Sequence, residues 1–409
     1  MAEFLPFHGV LPTVERAAAV AAVPYDVVNS EEAAALAAGN PYSFLHVSRP
    51  EIDLDLGISL YDDRVYAQAA AAFRRLCQEV PLKQDAEAHL YVYRLQMGDH
   101  VQTGVFGAAS AAEYRDGVIK KHEKTRQDKE DDRTRHVMTL RSHTGPAFFT
   151  YRDSAAIDEL VEKIKRQKPL FDFTAADRIK HTLWRADAAD SAGLSALFGE
   201  VPVFYIADGH HRSAAAARTM QECAPRNPQH TGKEDYNYFL AAAFPASQLR
   251  ILPYNRVVKS LNGMSETEFL AKVAEKFSIV VTGNPQPEKS GEFCMYLGGR
   301  WLLLQPKFAT AGLGVIERLD VSILQDNILA PLLGIADPRT SKAIDFIGGI
   351  RGTGELTRLV DSGSYQVAFS MYPTTVGQLM DIADAGEIMP PKSTWFEPKL
   401  RDGLVCHNF

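Results

Sequence analysis

The stretch Phe204-Tyr-Ile-Ala-Asp-Gly-His-His-Arg-Ser213, followed by Ala214-Ala-Ala-Ala217, decides how this chain is read. Four apolar or aromatic positions, Phe204 to Ala207, make a strand that ends on Asp208, a glycine makes a turn, and an alanine-rich segment opens a helix with no intervening loop. The first N–H groups of a helix lack intrahelical partners and carry partial positive charge, so a strand that ends on such a helix offers an anion site. Gly209 lets the backbone approach a ligand closely, and Arg212 has the fork geometry for two phosphate oxygens. His210 and His211 add donors, and being adjacent they cannot share one face, so they must do different work. Asp208 has the chemistry to hold a metal ion or to orient an imidazole. The bland alternative is a helix capped by Asp208 with two histidines that merely sit in a turn.

The helix from Ser213 to Glu222 begins almost entirely in alanine, which permits close packing on a sheet. Val201 to Ala207 is preceded by a helical pattern and by the strand pattern His181-Thr-Leu-Trp-Arg185. His89 to Gln96 and Val101 to Ala108 flank Gly98-Asp99, a hairpin signature. Ser30 with Glu31 and Glu32 reads as a helix start, Phe44-Leu-His-Val-Ser48 as a strand and Tyr66 to Val80 as a helix. Gly145 to Tyr151 reads as a strand, and Asp158 to Arg166 as a helix. A domain boundary is expected near Pro245, giving residues 1–245 and 246–409. The second part mixes strands over Phe277 to Val281, Phe293 to Leu297, Trp301 to Leu304 and Gln366 to Ser370 with a helix around Val321 to Leu333. Gly348-Gly-Ile-Arg-Gly-Thr-Gly354 lacks the lysine of a phosphate loop and reads as a turn. The fold class expected is α/β with mixed sheets: an N-terminal α/β domain followed by a C-terminal α+β domain.

Bulk properties narrow the functions. A 409-residue chain with 46% hydrophobic residues builds a real core, and a formal net charge of -7 disfavours an electrostatic grip on nucleic acid. Cys77, Cys223, Cys294 and Cys406 form no paired spacing, so reduced thiols in a cytoplasmic setting are expected. The start of the chain lacks a secretory pattern, and Ala17 to Val23 is too short to cross a bilayer, so no membrane association is expected. His46, His143 and His181 have no metal-ligand spacing among themselves and read as structural. Tyr25 and Asp26, after Pro24, reach out as an extended loop or serve as a simple cap.

Two resemblances add to this reading. Ile206-Ala-Asp-Gly-His-His-Arg-Ser-Ala-Ala215 resembles the nucleotide-binding signature of the ParB/sulfiredoxin superfamily, in particular its free-serine-kinase branch. Val23-Pro-Tyr-Asp-Val27, Phe44-Leu-His-Val47, His122-Glu-Lys-Thr125, Leu252-Pro-Tyr-Asn-Arg256 and Met389-Pro-Pro-Lys-Ser-Thr-Trp-Phe-Glu-Pro-Lys399 are similar to domain-of-unknown-function family 1015. The second family implies no activity. The first implies a ParB/sulfiredoxin-like nucleotide-binding domain over residues 1–245 and a nucleotide, ADP or ATP, whose phosphates rest on Gly209, His210, His211 and Arg212; Ser213 beside them is expected to join the contact, and Asp208 to hold Mg2+. No upstream glutamate matches the kinase branch by motif.

Transfer of a phosphoryl group to a hydroxyl needs a carboxylate to take a proton and cations to offset charge. The charged run Lys120 to His136 supplies both: Glu123 and His122 for the proton, Lys124, Lys129 and Arg133 for the charge. Charge runs are more often solvated helices laced with ion pairs, and the acids after Glu123 are expected at the surface. Lys392, held between the prolines and two hydroxyl residues, is expected to bind an anionic group, in a cleft closed by the C-terminal domain. The function expected is a nucleotide-dependent kinase for a small hydroxylated metabolite such as serine, with Asp208, Glu123 and His122 as catalytic residues. The rival expectation is a non-catalytic nucleotide switch. A homo-oligomer is compatible with either.

Overall fold

The computed structural model describes residues 2–79 and 82–409 and divides into two compact units, Met1–Leu249 with Pro398–Phe409, and Arg250–Glu397. Among the described residues no helix is long and apolar enough to cross a membrane. The protein is of mixed α/β class, as the strand and helix patterns predict.

The first unit is built on a mixed sheet. Across it run Ile119–Lys120, Phe204–Asp208, Ala147–Tyr151, Tyr238–Pro245, His100–Ser110, Tyr91–Met97, Lys180–Arg185 and Phe171–Thr174, with Phe4–Leu5 paired to His100–Ser110 off this path. Phe204–Asp208 lies parallel to Ile119–Lys120 and antiparallel to Ala147–Tyr151. Its first four residues are buried, which explains the unbroken apolar run: a strand covered on both faces cannot alternate. A register shift between Ile206 and Asp208 brings Asp208, rather than Ala207, opposite Phe148. Such a bulge re-aims the side chain at the strand's end.

The His210–Cys223 helix packs on this sheet through alanines. Ala214, Ala216 and Ala217 share one core cluster with Ala241 and Ala243 of the Tyr238–Pro245 strand. Small residues on both partners let helix and sheet approach closely, and large aromatics such as Phe149, Phe198 and Phe204 fill the remaining space. A second, four-stranded sheet of Lys83–Gln84, Gly9–Leu11, Cys406–Asn408 and Ser142–His143 places the end of the chain between segments from its beginning and middle.

The hairpin forms as read, with Met97 opposite His100 and Gly98 at φ 59° in the two-residue turn. Three local expectations are corrected. Phe44 to Ser48 is helical over Leu45–Ser48, because Phe44, Leu45 and Val47 are buried beside the Asp63–Glu79 helix and burial outweighs their weak strand preference. The helix start near Ser30 is capped one residue earlier, by Asn29 in a reciprocal arrangement with Glu32. Gly352-Thr-Gly354 opens a helix over Gly352–Asp361 instead of making a plain turn. Of the helix expected over Tyr66 to Val80, Val80 lies outside the described residues.

The second unit has a six-stranded antiparallel sheet in the order Phe277–Val281, Arg300–Pro306, Phe293–Leu297, Val367–Met371, Tyr254–Val258, Ile344–Gly348. A helix over Glu266–Lys276 with a Ser265/Glu268 capping box precedes its first strand. The helix expected near Val321 runs as Asp320–Leu324 and loosens into a π-turn over Gln325–Leu329.

Candidate functional site

The geometry at the end of Phe204–Asp208 follows from one residue. Gly209 adopts φ 88° and ψ 33°, the left-handed conformation in which a side chain is strained, and it starts a 14-residue helix that no side chain caps. A Cβ added there would lie 3.0 Å from Arg212 Nε and 3.3 Å from Ala147 Cα. The turn is therefore a cradle that only glycine leaves open.

Around it the charged groups converge on Asp208. The Gly209 N–H donates to Asp208 Oδ1 at 2.7 Å, and Lys399 Nζ donates to Oδ2 at 3.0 Å. Arg212 lies 3.7 Å from Asp208 and 3.6 Å from Asp26, and also donates to the Pro146 carbonyl. Burial alone would raise the Asp208 pKa, but Lys399, Arg212 and the Gly209 N–H more than reverse this and hold the carboxyl well below its usual range. The Arg212 guanidinium is buried, which opposes its charge, yet Asp26 and Asp208 keep it firmly cationic. Both Asp208 oxygens are thus engaged, and a magnesium ion there would have to displace Lys399. The residues present do not fit the Mg2+ site that the sequence expects on Asp208.

The two histidines of the motif do separate. His210 is buried and meets the His122 ring edge-on, with centroids 4.4 Å apart and an interplanar angle of 89°. Burial pushes the His122 imidazole down to about 4, against smaller opposing effects of the Ile206 backbone and Asp208, and burial likewise depresses His210. Neither is a ready proton carrier at neutral pH. His211 faces the other way, and its Nε2 accepts the Arg126 N–H at 3.1 Å. Glu123, next to His122, is exposed. His122, Glu123 and His210 bring ligand-type atoms within 4.8 Å of one another.

Ser213 is fully buried and donates its hydroxyl to the Gly209 carbonyl at 3.2 Å. The ligand contact expected of Ser213 is corrected on that ground: its hydroxyl closes the first helical turn. Lys392 belongs to the second unit, at φ 57°, with its ammonium 5.4 Å from the Tyr254 ring centroid. The acids after Glu123 are not all at the surface. Asp132 is buried, accepts from the Tyr66 hydroxyl at 2.8 Å and pairs with Arg133 at 2.7 Å. Arg133 in turn stacks over the Tyr25 ring at 4.1 Å. A cleft beside Arg212, lined among others by Tyr25, Arg133, His143, Gly145 and Asp402, has a volume of about 30 Å³. That is room for one or two waters.

Two participants have no role in the sequence reading. Lys399 lies 191 residues from its partner, although it ends one of the stretches shared with the unknown-function family. Asp402 is buried beside Arg212, and burial, opposed by Arg212 and reinforced by Asp26, raises its carboxyl to about 7.

Comparison with known proteins adds the following. A family model described as "Protein of unknown function (DUF1015)" matches residues 4–322. No curated protein matches. Among solved structures, a free serine kinase variant in complex with AMP is 14% identical, with a TM-score of 0.35, over 72% of this chain and 87% of that chain. A free serine kinase variant in complex with ADP gives the same identity, TM-score and coverages, 14%, 0.35, 72% and 87%. C-terminally truncated SbnI from Staphylococcus aureus is 12% identical, with a TM-score of 0.38, over 73% of this chain and 85% of that chain. At these values the likeness bears on neither ligand nor activity.

Proposed function

The chain belongs to the DUF1015 family, whose description assigns no activity, and from that starting point we propose that it binds the phosphates of a nucleotide at the Asp208–Arg212 turn and transfers a phosphoryl group to a small hydroxylated metabolite. One observation carries the reading: an uncapped 14-residue helix begins at a left-handed glycine whose missing Cβ keeps the approach open.

The Asp208 carboxylate already marks where an anionic oxygen is stabilised. It draws on a backbone N–H, an ammonium and a nearby guanidinium, the three donor types that a phosphate recruits. When Asp208 turns aside, Gly209, Lys399 and Arg212 present those donors to the ligand. The same groups offset charge that grows on the transferring phosphate, which is the main task of a phosphotransferase. His122, buried and held neutral, is not suited to relay the hydroxyl proton. The narrow cleft beside Arg212 excludes a nucleoside, so the base and ribose rest outside it.

The test is turnover. Purified protein with ATP or ADP, a divalent metal and a panel of hydroxylated metabolites that includes serine is expected to yield a phosphorylated product by mass spectrometry. Nucleotide binding with no product from any acceptor overturns the kinase reading. It would leave a switch, which a specific feature favours: a ligand that displaces Asp208 takes over its contact with Lys399, a residue of the Pro398–Phe409 segment of the same unit.

A further inference from the structure

We propose that His122, Glu123 and His210 form a binding site for a divalent first-row transition-metal ion, held by two imidazole nitrogens and one carboxylate oxygen. The proposal rests on the geometry of the first unit and stands whether or not a nucleotide binds at the neighbouring turn.

The first ground is convergence. His122 and Glu123 follow Ile119–Lys120, and His210 follows Phe204–Asp208 by one intervening glycine; these two strands are parallel neighbours, so the segments that leave them emerge on the same side. Ligands of α/β sheets gather at that edge. One atom from each of the three residues lies within 4.8 Å of the others. Metal bonds of about 2.1 Å place tetrahedral donors about 3.4 Å apart. Glu123 is exposed, so rotation of its side chain contributes to that closure.

The second ground is independent of the first. His122 is 2% exposed and His210 6%, and both nitrogens of His122 and Nε2 of His210 have no hydrogen-bond partner of normal geometry. Buried polar atoms in folded proteins are nearly always satisfied, and two buried imidazoles with unpartnered nitrogens at one spot call for an occupant. A metal ion satisfies one nitrogen of each ring, and the other His122 nitrogen is left to the Ile206 backbone. Two imidazoles and a carboxylate suit zinc, cobalt, iron or manganese, whereas magnesium prefers a shell of oxygens. One exposed ligand gives the ion an entry path, and three protein ligands leave coordination positions open.

The assignment changes two roles. The metal that the sequence places on Asp208 moves to the neighbouring histidine pair, and Glu123 serves as a ligand and not as the acceptor of a hydroxyl proton.

Titration of the metal-stripped, nucleotide-free protein with Co2+ and with Zn2+ tests it. Expected are one bound equivalent, a visible Co2+ spectrum of nitrogen–oxygen ligation, and no displacement by a 100-fold excess of Mg2+. Replacing a residue that only supports a metal ligand already costs about 10- to 100-fold in affinity, so Glu123→Gln and His210→Gln are each expected to weaken binding by at least that much. Glu123 is exposed, so Glu123→Gln keeps the fold, which an unchanged melting curve without metal verifies; it decides the matter if His210→Gln does not fold. Less than a tenth of an equivalent bound, or affinity in Glu123→Gln within threefold of the parent protein, overturns the site. Nucleotide binding is measured separately, so failure of the metal site and failure of the phosphate reading are told apart.

Discussion

At the scale of single residues, Gly209 decides whether the turn exists. Its left-handed φ of 88° costs any other L-residue about 1–2 kcal/mol, and an added Cβ would press on Arg212 and Ala147. Gly209→Ala is therefore expected to lower stability by about 1–2 kcal/mol in urea denaturation and to abolish phosphate binding; unchanged stability would mean that the turn relaxes freely. Asp402 gives a pH signature. Its folded-state carboxyl is raised from 3.8 to about 7, mainly by burial, so its stabilising contribution is complete below pH 3.8 and is lost as pH rises through about 7. Asp402→Asn cannot ionise, and its urea midpoint relative to the parent protein should rise between pH 5 and pH 8. A constant difference across that range would contradict the assignment.

At the scale of elements, the alanine face of the His210–Cys223 helix sets its distance from the sheet. Ala216 is 1% exposed and shares a cluster with Ala241 and Ala243, which are 0% exposed. Ala216→Leu inserts volume where there is none and is expected to cost about 1–3 kcal/mol, read as a lower denaturation midpoint. What the sequence made legible at this scale follows from physics that is local. The hairpin could be read because Gly98-Asp99 itself supplies the turn, and the helix over His210–Cys223 because glycine and alanine act within a few residues. Phe44 to Ser48 could not, since its state is chosen by what buries Phe44 and Val47. Nor could the burial of Asp132, which depends on Tyr66 from a different helix. Within the candidate site, Asp208 to Arg212 were visible as a motif. The edge-on meeting of His122 with His210 was not, because it depends on two strands becoming parallel neighbours.

At the scale of the molecule, the first unit is discontinuous in sequence. Residues 398–409 belong with 1–249, and Cys406–Asn408 lies inside the four-stranded sheet between Gly9–Leu11 and Ser142–His143. Leu404, Val405 and Cys406 are at most 1% exposed, so this is core and not a trailing end. Ending the chain after Glu397 removes them together with Lys399, and is expected to lower the melting temperature of the first unit by about 10 °C or more; a smaller change would show that the segment is dispensable. The same segment supplies the ammonium that holds Asp208, which ties the state of the Asp208–Arg212 turn to the ordering of this unit.

The central claim is that backbone amides at the start of one helix hold an anion, and their resonances report on it directly. In the parent protein, titration with ADP or ATP should shift the amide signals of Gly209, His210, His211 and Arg212 saturably and more than those elsewhere in the first unit. Nucleotide that leaves these four amides unmoved, whether because it binds at another place or does not bind, would contradict the account.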